Sequence, residues 1–556
     1  MYLHASDKAS GVENFHSAVG SKLIRREMIT EALRKGLSPR NGLEQEHFKY
    51  AKSLDKPLAV GVLGVGQQGV RLLAAINPAY VTLKAIADIR PSQQKRAVVA
   101  LQALAAYKGK WKTDDDVKKD IRVYDSYEKL LAAAKTDGLE AVIIALPSHL
   151  HAAAAMAAMD AGLHVFVETP LALKVLDAKQ VARKAAEKNL VVAVGQQRYY
   201  NWIYDHALEM VRLDLLEDVH YVRAQWHVLK PVRKTAEDDA KKAKNNKKLK
   251  EAVQKPGEFK IDWWQDVPPE ESHLTFDGYA SPEELVHWQL YEKYSGGLLA
   301  ELGSQIFDAA VMFIKTTPNR DPQRRYPLSV AGAGSQTLRE PVGDADGSQA
   351  HREPVGDIDD HVHCIFEYPI QGYVDDKTIP PKARKKIALQ VDLIIGNEFD
   401  GYGETVLGRQ GSLVLENEHK AMLFHTSDVD KTIRVDEKKV VKKAGDKKPD
   451  DKKPDDKKDI KGVPSIVVSK ADEESQSLGR LALQGADAGF ATELEHWACC
   501  CKPVGGKVDK PRCDAEAGLY TTVLTVAAAR ALATETRVDF KDAWFDVKSD
   551  ETPDNV

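Results

Sequence analysis

The segment from residue 58 to residue 88 constrains the fold of this chain more than any other. It joins an apolar run, a glycine-rich turn, a helical pattern and a second apolar run ending in an acid, and reads LAVGVLGVGQQGVRLLAAINPAYVTLKAIAD. A buried strand, a tight turn and a periodic helix in this order are typical of a β-α-β unit. The sequence therefore predicts a parallel sheet at this end of the chain.

Three glycines in the turn indicate what this unit binds. Gly64 permits the tight turn, Gly66 lets the backbone approach a pyrophosphate, and Gly69 lets the helix pack closely on the strand. Gln67 and Gln68 stand between them at the start of the helix. Because a helix N-terminus attracts phosphate, these five positions are predicted to hold the pyrophosphate of a dinucleotide.

The acid at the end of the second apolar run predicts which dinucleotide binds. Asp88 follows Gly69 by nineteen residues, where a carboxylate can accept hydrogen bonds from the adenosine ribose. A carboxylate there also repels a 2′-phosphate, so we expect NAD. Arg90, two residues further on, keeps NADP open as an alternative.

Short apolar runs and helical patterns continue to alternate beyond Asp88. The later runs are AVIIAL (141–146), HVFVE (164–168) and LVVAVG (190–195). Their continuous apolar character predicts strands covered on both faces. After about residue 200 the strands alternate, as in HYVRAQWHV (220–228), HVHCIFEYP (361–369) and KIALQVDLII (386–395), which indicates a largely antiparallel sheet with one exposed face.

These patterns predict an α/β protein with two domains. An N-terminal extension (1–56) precedes a Rossmann dinucleotide-binding domain (57–200), and a C-terminal α/β domain with a largely antiparallel open sheet (201–556) follows. Two charged insertions interrupt the second domain, at about 233–260 and 437–461. Both lack the apolar residues that offset ordering entropy, so exposed loops or disorder are expected.

Charge and hydropathy argue against nucleic-acid and membrane partners. The net charge is −4, with 79 basic and 83 acidic residues, so no general basic field is present. The longest apolar runs have the length of strands rather than of membrane spans. Arg25 and Arg26 form a twin-arginine pair without a following apolar segment, so we expect an amphipathic helix there and a cytoplasmic protein.

The five cysteines do not form a recognisable framework. Cys499, Cys500 and Cys501 are consecutive, and Cys364 and Cys513 lie elsewhere. Consecutive residues project about 100° apart around a helix, which is a poor start for a tetrahedral metal site. We therefore predict no metal, and we interpret the three cysteines as small buried residues of a helix.

Several segments resemble the family of glucose-fructose oxidoreductase, inositol dehydrogenase and MocA-like proteins. They are GVLGVGQQG, ALPSHLHAAAAMAAMDAGLHVFVETPLAL, VGQQRYYN, GGLLAELGSQIFD and ELEHWA. The resemblance covers roughly residues 57 to 550. The longer forms YSGGLLAELGSQIFDAA, DGYGETVLGRQGSLVLE and DFKDAWFDVKSDETP resemble a branch common among planctomycete-like bacterial genomes.

This resemblance implies an oxidoreductase that acts with NAD(P) on a sugar, a polyol or a related derivative. In the family the open sheet often packs between subunits. A one-sided sheet also leaves an apolar face that a monomer would expose, so a homo-oligomer, either a dimer or a tetramer, is expected. Glu168 is expected to contact the nicotinamide end beside a cis peptide. The further cofactor contacts expected from the matching segments are Leu146, Pro147, His149 and Gln197.

Two positions depart from the family pattern. The usual Glu-Lys-Pro is here Glu168, Thr169 and Pro170, so the proton-handling lysine is threonine. In a second motif an acid stands four residues before a catalytic histidine, and here Glu301 is followed by Gln305. Neither threonine nor glutamine takes up a proton near neutral pH.

Alcohol oxidation needs a group that accepts the hydroxyl proton. We select Glu301, which with Gln305 and Asp308 has the spacing of one helical face. His149 and His151 follow a parallel strand at the edge where α/β sites form, and remain alternatives. The predicted catalytic set is Glu301, Gln305, Thr169, Asp308 and His151.

Other polar and aromatic side chains near these motifs have simpler interpretations. Tyr199 and Tyr200 are expected to pack between the domains rather than to act as catalytic phenols. Trp226 and His227 are neighbours on a strand, so at most one of them faces a sugar pocket.

Three functions remain open from the sequence. The first is a sugar or polyol oxidoreductase in which Glu301 or a histidine replaces the usual lysine and histidine. The second is a lyase or hydrolase that retains NAD, because transient oxidation of a sugar carbon acidifies its neighbour and permits elimination. The third is a catalytically silent protein that keeps the fold for assembly or regulation.

Overall fold

The computed structural model describes most of both predicted domains. The described residues are 50–51, 53–107, 109–228, 263, 267–337, 356–375, 378–380, 383–397, 399–418, 420–425, 465–467, 481–484, 489–503 and 509–554. The twin-arginine segment and the charged insertions at 233–260 and 437–461 lie outside these residues.

The first sheet is the parallel sheet that the sequence predicts. Its order is β3-β2-β1-β4-β5-β6, and every neighbouring pair is parallel. The strands are β1 (Leu58–Leu63), β2 (Val81–Ala87), β3 (Arg122–Tyr124), β4 (Ala141–Ile144), β5 (His164–Glu168) and β6 (Val192–Gly195). The strand order reverses between β1 and β4, and ligands of such sheets bind in the crevice at that point.

Ten strands form the second sheet, in the order β14-β15-β13-β12-β11-β7-β10-β9-β8-β16. β7 and β10 pair in parallel, and the other described pairs are antiparallel. The strands are β7 (Tyr221–Val228), β8 (Ser329–Ser335), β9 (His361–Pro369), β10 (Lys386–Ile395), β11 (Tyr402–Leu407), β12 (Gly411–Glu416), β13 (Lys420–His425), β14 (Ser465–Val467), β15 (Leu481–Gln484) and β16 (Val538–Asp539). The predicted α/β class, with a Rossmann sheet and a mostly antiparallel sheet, is confirmed.

Helices cover both faces of the first sheet and one face of the second. Those of the first domain are α1 (Gln67–Ala75), α2 (Pro91–Ala103), α3 (Asp114–Asp120), α4 (Tyr127–Ala133), α5 (His151–Asp160) and α6 (Val175–Lys188). Those beyond it are α7 (Trp202–Arg212), α8 (Pro282–Val286), α9 (Glu292–Ser295), α10 (Ser304–Thr316), α11 (Phe490–Cys501), α12 (Ala515–Thr534) and α13 (Asp542–Phe545). A π-helical turn, Leu299–Gly303, leads directly into α10.

Near the C-terminal end of the chain, helix α11 packs against the first domain again. A domain boundary at residue 200 does not account for this contact. Leu494, Trp497 and Ala498 of α11 belong to the same apolar core as β1 and β2. The predicted division at residue 200 therefore follows the two sheets but not the packing of α11. Cys499 and Cys500 are buried on this helix, as the sequence predicts.

The open face of the second sheet is more polar than the sequence prediction assumes. Arg223 and His363 both pair with Asp392 on this face, at 3.3 and 2.8 Å. Ile365 is a large apolar side chain on this face, and 52% of its surface is exposed. Two ion pairs at Asp392 therefore interrupt the apolar face that the sequence predicts, while Ile365 stays exposed beside them.

Two helical stretches have the length and apolar composition of membrane spans, namely Glu292–Thr316 and Ala515–Thr534. The sequence prediction considered only uninterrupted apolar runs and missed both. In their most apolar segments, 83% and 61% of the residues are buried inside the protein. Both belong to the core, since α10 and α12 contact one another and α10 also packs on β7.

Candidate cofactor and active site

The glycine turn after β1 is built as the sequence predicts. Gly64 has a φ of 84°, and a Cβ atom there would lie 2.4 Å from the carbonyl oxygen of Ala145. A Cβ at Gly69 would lie 2.1 Å from the carbonyl oxygen of Gly64. Both distances are far below a normal contact, so the backbone of the turn requires glycine at these positions.

The turn opens into a cleft of about 1950 Å³ that both domains line. A Cβ at Gly66 would meet no atom within 4 Å, so backbone at this point faces open space. The N-terminus of α1 points into the same space, and Gln67 and Gln68 line it. An anion as large as a pyrophosphate fits this cradle.

Asp88 and Arg90 lie at one end of the cleft, which we call the adenosine end. Asp88 Oδ2 accepts a hydrogen bond from Val65 N and Oδ1 accepts one from Arg90 N, each at 2.9 Å. Burial raises the pKa of Asp88, while the two N–H donors oppose that rise. The Arg90 side chain turns to Glu271, with Nε 2.9 Å from Oε2.

Glu301 lies at the other end, which we call the catalytic end. It is on the π-helical turn before α10, and its Oε1 accepts a 2.6 Å hydrogen bond from Ser148 Oγ. Burial raises the pKa of Glu301 to about 8, and the bond from Ser148 opposes the shift. A carboxyl group with this pKa exchanges a proton near neutral pH.

Glu168 is the second carboxyl group of the catalytic end. Its Oε1 accepts a 2.8 Å hydrogen bond from Gln68 Nε2, which links it to the glycine turn. Burial raises the pKa of Glu168 to about 7. The peptide bond between Thr169 and Pro170 is cis, as the family resemblance implies.

Thr169 and Gln305, the two departures from the family pattern, both line the cleft. Thr169 Oγ1 donates to Ser304 Oγ and accepts from Gln196 Nε2, both at 3.1 Å. Gln305 Nε2 makes a long 3.4 Å contact with the carbonyl oxygen of Glu301. Both side chains can orient a substrate hydroxyl, but neither can accept its proton near neutral pH.

The remaining predicted cofactor contacts divide into two groups. Leu146, Pro147 and Gln197 line the cleft with the glycine turn. The His149 side chain does not, because its ring packs against Tyr279 and Tyr294, with centroids 5.9 and 4.9 Å away. The prediction of His149 as a cofactor contact or a base is therefore wrong; burial also lowers its pKa to about 4.

His151 borders the cleft, and each of its ring nitrogens faces a backbone carbonyl oxygen, so the neutral ring donates to one of them and only the protonated ring donates to both. Nδ1 lies 2.7 Å from Pro170 O and Nε2 lies 2.7 Å from Leu146 O. Burial lowers the pKa of His151, and the two carbonyl groups oppose that shift. The ring ties the loop after β4 to the cis peptide, so it is placed to hold the site rather than to move a proton.

Asp308 is not brought to the catalytic end. It does not line the cleft, and its Oδ1 lies 3.2 Å from Tyr199 OH and 3.1 Å from Thr521 Oγ1. Burial raises its pKa to about 6. The predicted shared face of Glu301 and Asp308 is wrong, because a π-helical turn breaks the 3.6-residue period and Asp308 faces α12.

Of the aromatic candidates, only Trp226 faces the cleft. Its ring stacks on Tyr402 with a centroid distance of 4.9 Å, and both rings line the cavity. His227 does not line it, as strand alternation predicts. Tyr200 packs inside instead, with its hydroxyl 2.9 Å from His496 Nδ1.

Sequence reasoning missed Glu493 on α11. Its Oε1 accepts a 2.9 Å hydrogen bond from Gln196 N, and its Oε2 has no hydrogen-bond partner among the described residues. Burial and the neighbouring Glu168 raise the pKa of Glu493 well above its usual range. The ELEHWA segment was the available signal, but nothing in its spacing showed that α11 returns to the first domain.

Residues 58–196 match the model of the Gfo/Idh/MocA oxidoreductase family, whose domain is an NAD-binding Rossmann fold. These residues, about a quarter of the chain, resemble the NAD-binding domain of that family. The match spans β1 to β6 and ends next to Gln197. NAD is therefore the cofactor of the glycine turn, and the open cradle at Gly66 and the carboxylate of Asp88 fit its pyrophosphate and its adenosine ribose.

Several known proteins resemble this chain over short stretches. It is 44% identical over 72 residues to a 4-carboxy-2-hydroxymuconate-6-semialdehyde dehydrogenase of Sphingobium sp., covering 13% of this chain and 23% of that protein. It is 30% identical over 177 residues to a glycosyl hydrolase family 109 protein of Shewanella sp., covering 31% of each. The chain thus spans less than a third of these relatives.

The similarity in fold extends further than the similarity in sequence. An inositol dehydrogenase homologue of Azotobacter vinelandii, solved with NADH and myo-inositol, superimposes with a TM-score of 0.51. That alignment covers 88% of this chain and 98% of the homologue at 14% identity. The two-domain fold is therefore shared.

Proposed function

We propose that the protein is an NAD-dependent oxidoreductase that oxidises a secondary alcohol of a sugar, a polyol or a related derivative, with Glu301 as the proton acceptor. The observation that carries this proposal is Glu301 itself. It is a carboxyl group with a raised pKa, on the wall of the cleft that holds the glycine turn, and Ser148 fixes one of its oxygens. This is the arrangement that a general base requires.

The reaction divides between the cofactor and the protein. NAD, when bound, supplies a hydride acceptor for the carbon that is oxidised. Glu301, as the carboxylate, takes the proton of the substrate hydroxyl, so the alcohol loses two electrons and two hydrogens and becomes a carbonyl. Ser148 orients Oε1 of Glu301 and leaves Oε2 for the substrate.

The rest of the catalytic end suits a neutral polyhydroxylated molecule. Thr169 and Gln305 offer a hydroxyl and an amide beside Glu301. Tyr402, which stacks on the buried Trp226, contributes an aromatic ring to the wall of the cleft, and the C–H face of a sugar ring can lie against it. An apolar wall with a few placed polar groups is typical of small-molecule sites.

A second candidate is a hydrolase or lyase that oxidises its substrate transiently and regenerates NAD. The similarity to the glycosyl hydrolase family 109 protein favours this alternative. Its proton chemistry has a candidate in the second buried carboxyl group, Glu168, whose pKa burial raises to about 7. The two candidates differ in whether reduced cofactor accumulates.

The experiment is an assay of NADH formation with a panel of inositols, aldoses and anhydrosugars, followed at 340 nm. An oxidoreductase releases one NADH for each product molecule. A hydrolase or lyase forms product from glycosides without net NADH. If neither product nor NADH forms while NAD still binds, the proposal fails and the protein is a non-catalytic NAD-binding protein.

We also propose that the protein acts in the cytoplasm as a homo-oligomer, a dimer or a tetramer. The five cysteines are free, and four of them are buried, which suits a reducing compartment. On the open sheet face the exposed Ile365 lies next to the exposed Ala331 and Ala333, and this apolar group of side chains supports self-association. Light scattering that gives the 61.5 kDa of one chain would contradict the oligomer.

A further inference from the structure

A segment of the second domain covers the adenosine end of the cleft. Leu274, Phe276 and Tyr279 line the same cavity as Asp88. Their stretch of chain lies between β7 and α8, outside the residues that match the family model. The adenosine end therefore has a wall that the glycine turn and Asp88 do not predict.

Glu271 attaches this segment to the first domain. It is fully buried, its Oε2 lies 2.9 Å from Arg90 Nε, and its Oε1 accepts a 2.8 Å hydrogen bond from Ser92 N. Both carboxylate oxygens therefore hold the loop that follows Asp88. A buried charge pair is costly to separate, so the segment is fixed where it lies.

Tyr279 is one of three polar residues that this segment contributes to the wall of the cleft, together with Thr275 and Asp277. Its hydroxyl is buried and has no hydrogen-bond partner among the described residues. Its ring is held between Tyr294, with centroids 4.7 Å apart, and His149. Burial raises the pKa of Tyr279, and the nearby charges of Tyr294 and Asp88 add to that rise, so the phenol is a neutral donor.

We propose that Tyr279 is a binding residue of the adenosine-ribose site, where its hydroxyl bonds to a ribose hydroxyl opposite Asp88, and that the Arg90–Glu271 pair retains NAD by fixing the covering segment. The proposal rests on the proposed use of NAD. It is carried by the unpartnered hydroxyl, which is buried in the wall of the cleft that Asp88 also lines. A buried donor without a partner is costly, and a ligand hydroxyl supplies the partner.

The first test is Tyr279→Phe, with ADP-ribose and NAD as ligands in calorimetric titrations. ADP-ribose contains the adenosine end without nicotinamide, so the result does not depend on turnover. We expect both ligands to bind about fivefold to tenfold more weakly, as for the loss of one hydrogen bond. Tyr291→Phe is the matched control, because Tyr291 does not line the cleft, and its binding should stay within about twofold of wild type.

A deoxyribose ligand locates the bond. If Tyr279 binds a ribose hydroxyl, the Tyr279→Phe change should no longer weaken binding of an NAD analogue that lacks that hydroxyl. An equal loss with the deoxy analogues and with NAD would overturn the assignment. Unchanged binding of ADP-ribose to Tyr279→Phe would overturn it too.

The second test measures retention through Glu271→Gln. Stopped-flow fluorescence of bound NADH gives its dissociation rate, and we expect that rate to rise about tenfold when the charge pair is lost. Glu270→Gln is the matched control, since Glu270 is the exposed neighbour. A dissociation rate equal to wild type in a folded Glu271→Gln protein would refute retention.

The outcomes separate this proposal from the proposed function. Weaker ADP-ribose binding by Tyr279→Phe, in a protein that oxidises no sugar or polyol, supports the ribose site and contradicts the oxidoreductase. If both variants bind ADP-ribose and NAD as wild type does, and the protein forms NADH from a polyol, the result contradicts the ribose site and supports the oxidoreductase. A wild type that binds neither NAD nor ADP-ribose contradicts both.

Discussion

The acidic residues at the two ends of the cleft differ in how many hydrogen-bond donors contact their carboxylate oxygens. At the adenosine end, Asp88 and Glu271 each have a donor on both carboxylate oxygens. At the catalytic end, Glu301 and Glu168 each receive one side-chain donor among the described residues. The first arrangement holds charges in place for binding, and the second leaves carboxyl groups able to take up and release protons.

A substitution of Glu301 is expected to have the largest effect on the difference between the two ends of the cleft. Glu301→Gln keeps the volume of the side chain and removes its proton chemistry, so we expect turnover to fall about a hundredfold or more. NAD affinity should remain nearly unchanged, because Glu301 lies at the opposite end from Asp88. Steady-state assays and NADH titrations of the same variant measure both quantities.

Two further variants make this result interpretable. Glu292→Gln removes an exposed acid from the same region and should leave turnover unchanged. Combining Thr169→Lys with Gln305→His restores the usual proton-handling pair of the family. If Glu301→Gln stays fully active, the catalytic end has another base, and Glu168 becomes the next residue to change.

The pH dependence of turnover is a second test of the difference between the two ends of the cleft. Burial raises the pKa of Glu301 to about 8, so its carboxylate increases as pH rises through that value. We expect kcat/KM for alcohol oxidation to rise about tenfold per pH unit below pH 8 and then to level off. Reduction of the carbonyl product needs the protonated acid and should show the opposite trend. A flat profile from pH 6 to pH 9 would contradict a titrating carboxyl base.

Cofactor preference tests the adenosine end. Arg90 Nε pairs with Glu271, so a neighbouring carboxylate offsets the arginine charge, although Nη2 has no hydrogen-bond partner among the described residues. We therefore expect NAD to bind about tenfold or more tightly than NADP, a difference of about 1.4 kcal/mol. Asp88→Asn should narrow the preference by removing charge repulsion. Titrations of both cofactors by fluorescence give the ratio, and tighter binding of NADP would show that Arg90 dominates.

The parts of the site that could be predicted from sequence are those set by local geometry. Gly64 and Gly69 are required by contacts within a few residues or across one strand, and β5, β9 and β10 have the predicted bounds. Periodicity and turn chemistry are local properties, so a single sequence reveals them.

The remaining parts depend on contacts between distant segments. Arg90 meets Glu271 across 181 residues, and Gln196 meets Glu493 across 297 residues. No periodicity encodes such pairs. Asp308 shows a local failure, because a π-helical turn before α10 removed the spacing on which its prediction relied. The rings around His149 likewise come from distant segments, with Tyr279 before α8 and Tyr294 on α9, and the motifs near His149 did not include them.

The smallest expected effect is on stability, and it distinguishes the two ends without any ligand. Glu301 has an ordinary pKa of 4.5 when unfolded and about 8 when folded, so between these values the folded protein holds a proton that the unfolded chain has released. Stability from this group therefore decreases as pH rises from about 4.5 to about 8, by at most about 1.4 kcal/mol per pH unit. Glu301 borders the open cleft, so the measured slope should be smaller.

Glu301→Gln cannot release a proton and should lose this part of the pH dependence. Urea unfolding of wild type and variant at pH 5, 6.5 and 8 measures the difference, and the variant should gain stability relative to wild type as pH rises. The control is Glu292→Gln. Burial and the charges of Asp357 and Asp359 also raise the pKa of Glu292, but the residue is exposed, so the difference of this variant from wild type should vary less with pH. A constant difference between wild type and Glu301→Gln at all three pH values would mean that Glu301 is already ionised in the folded protein, and the catalytic end would then resemble the adenosine end.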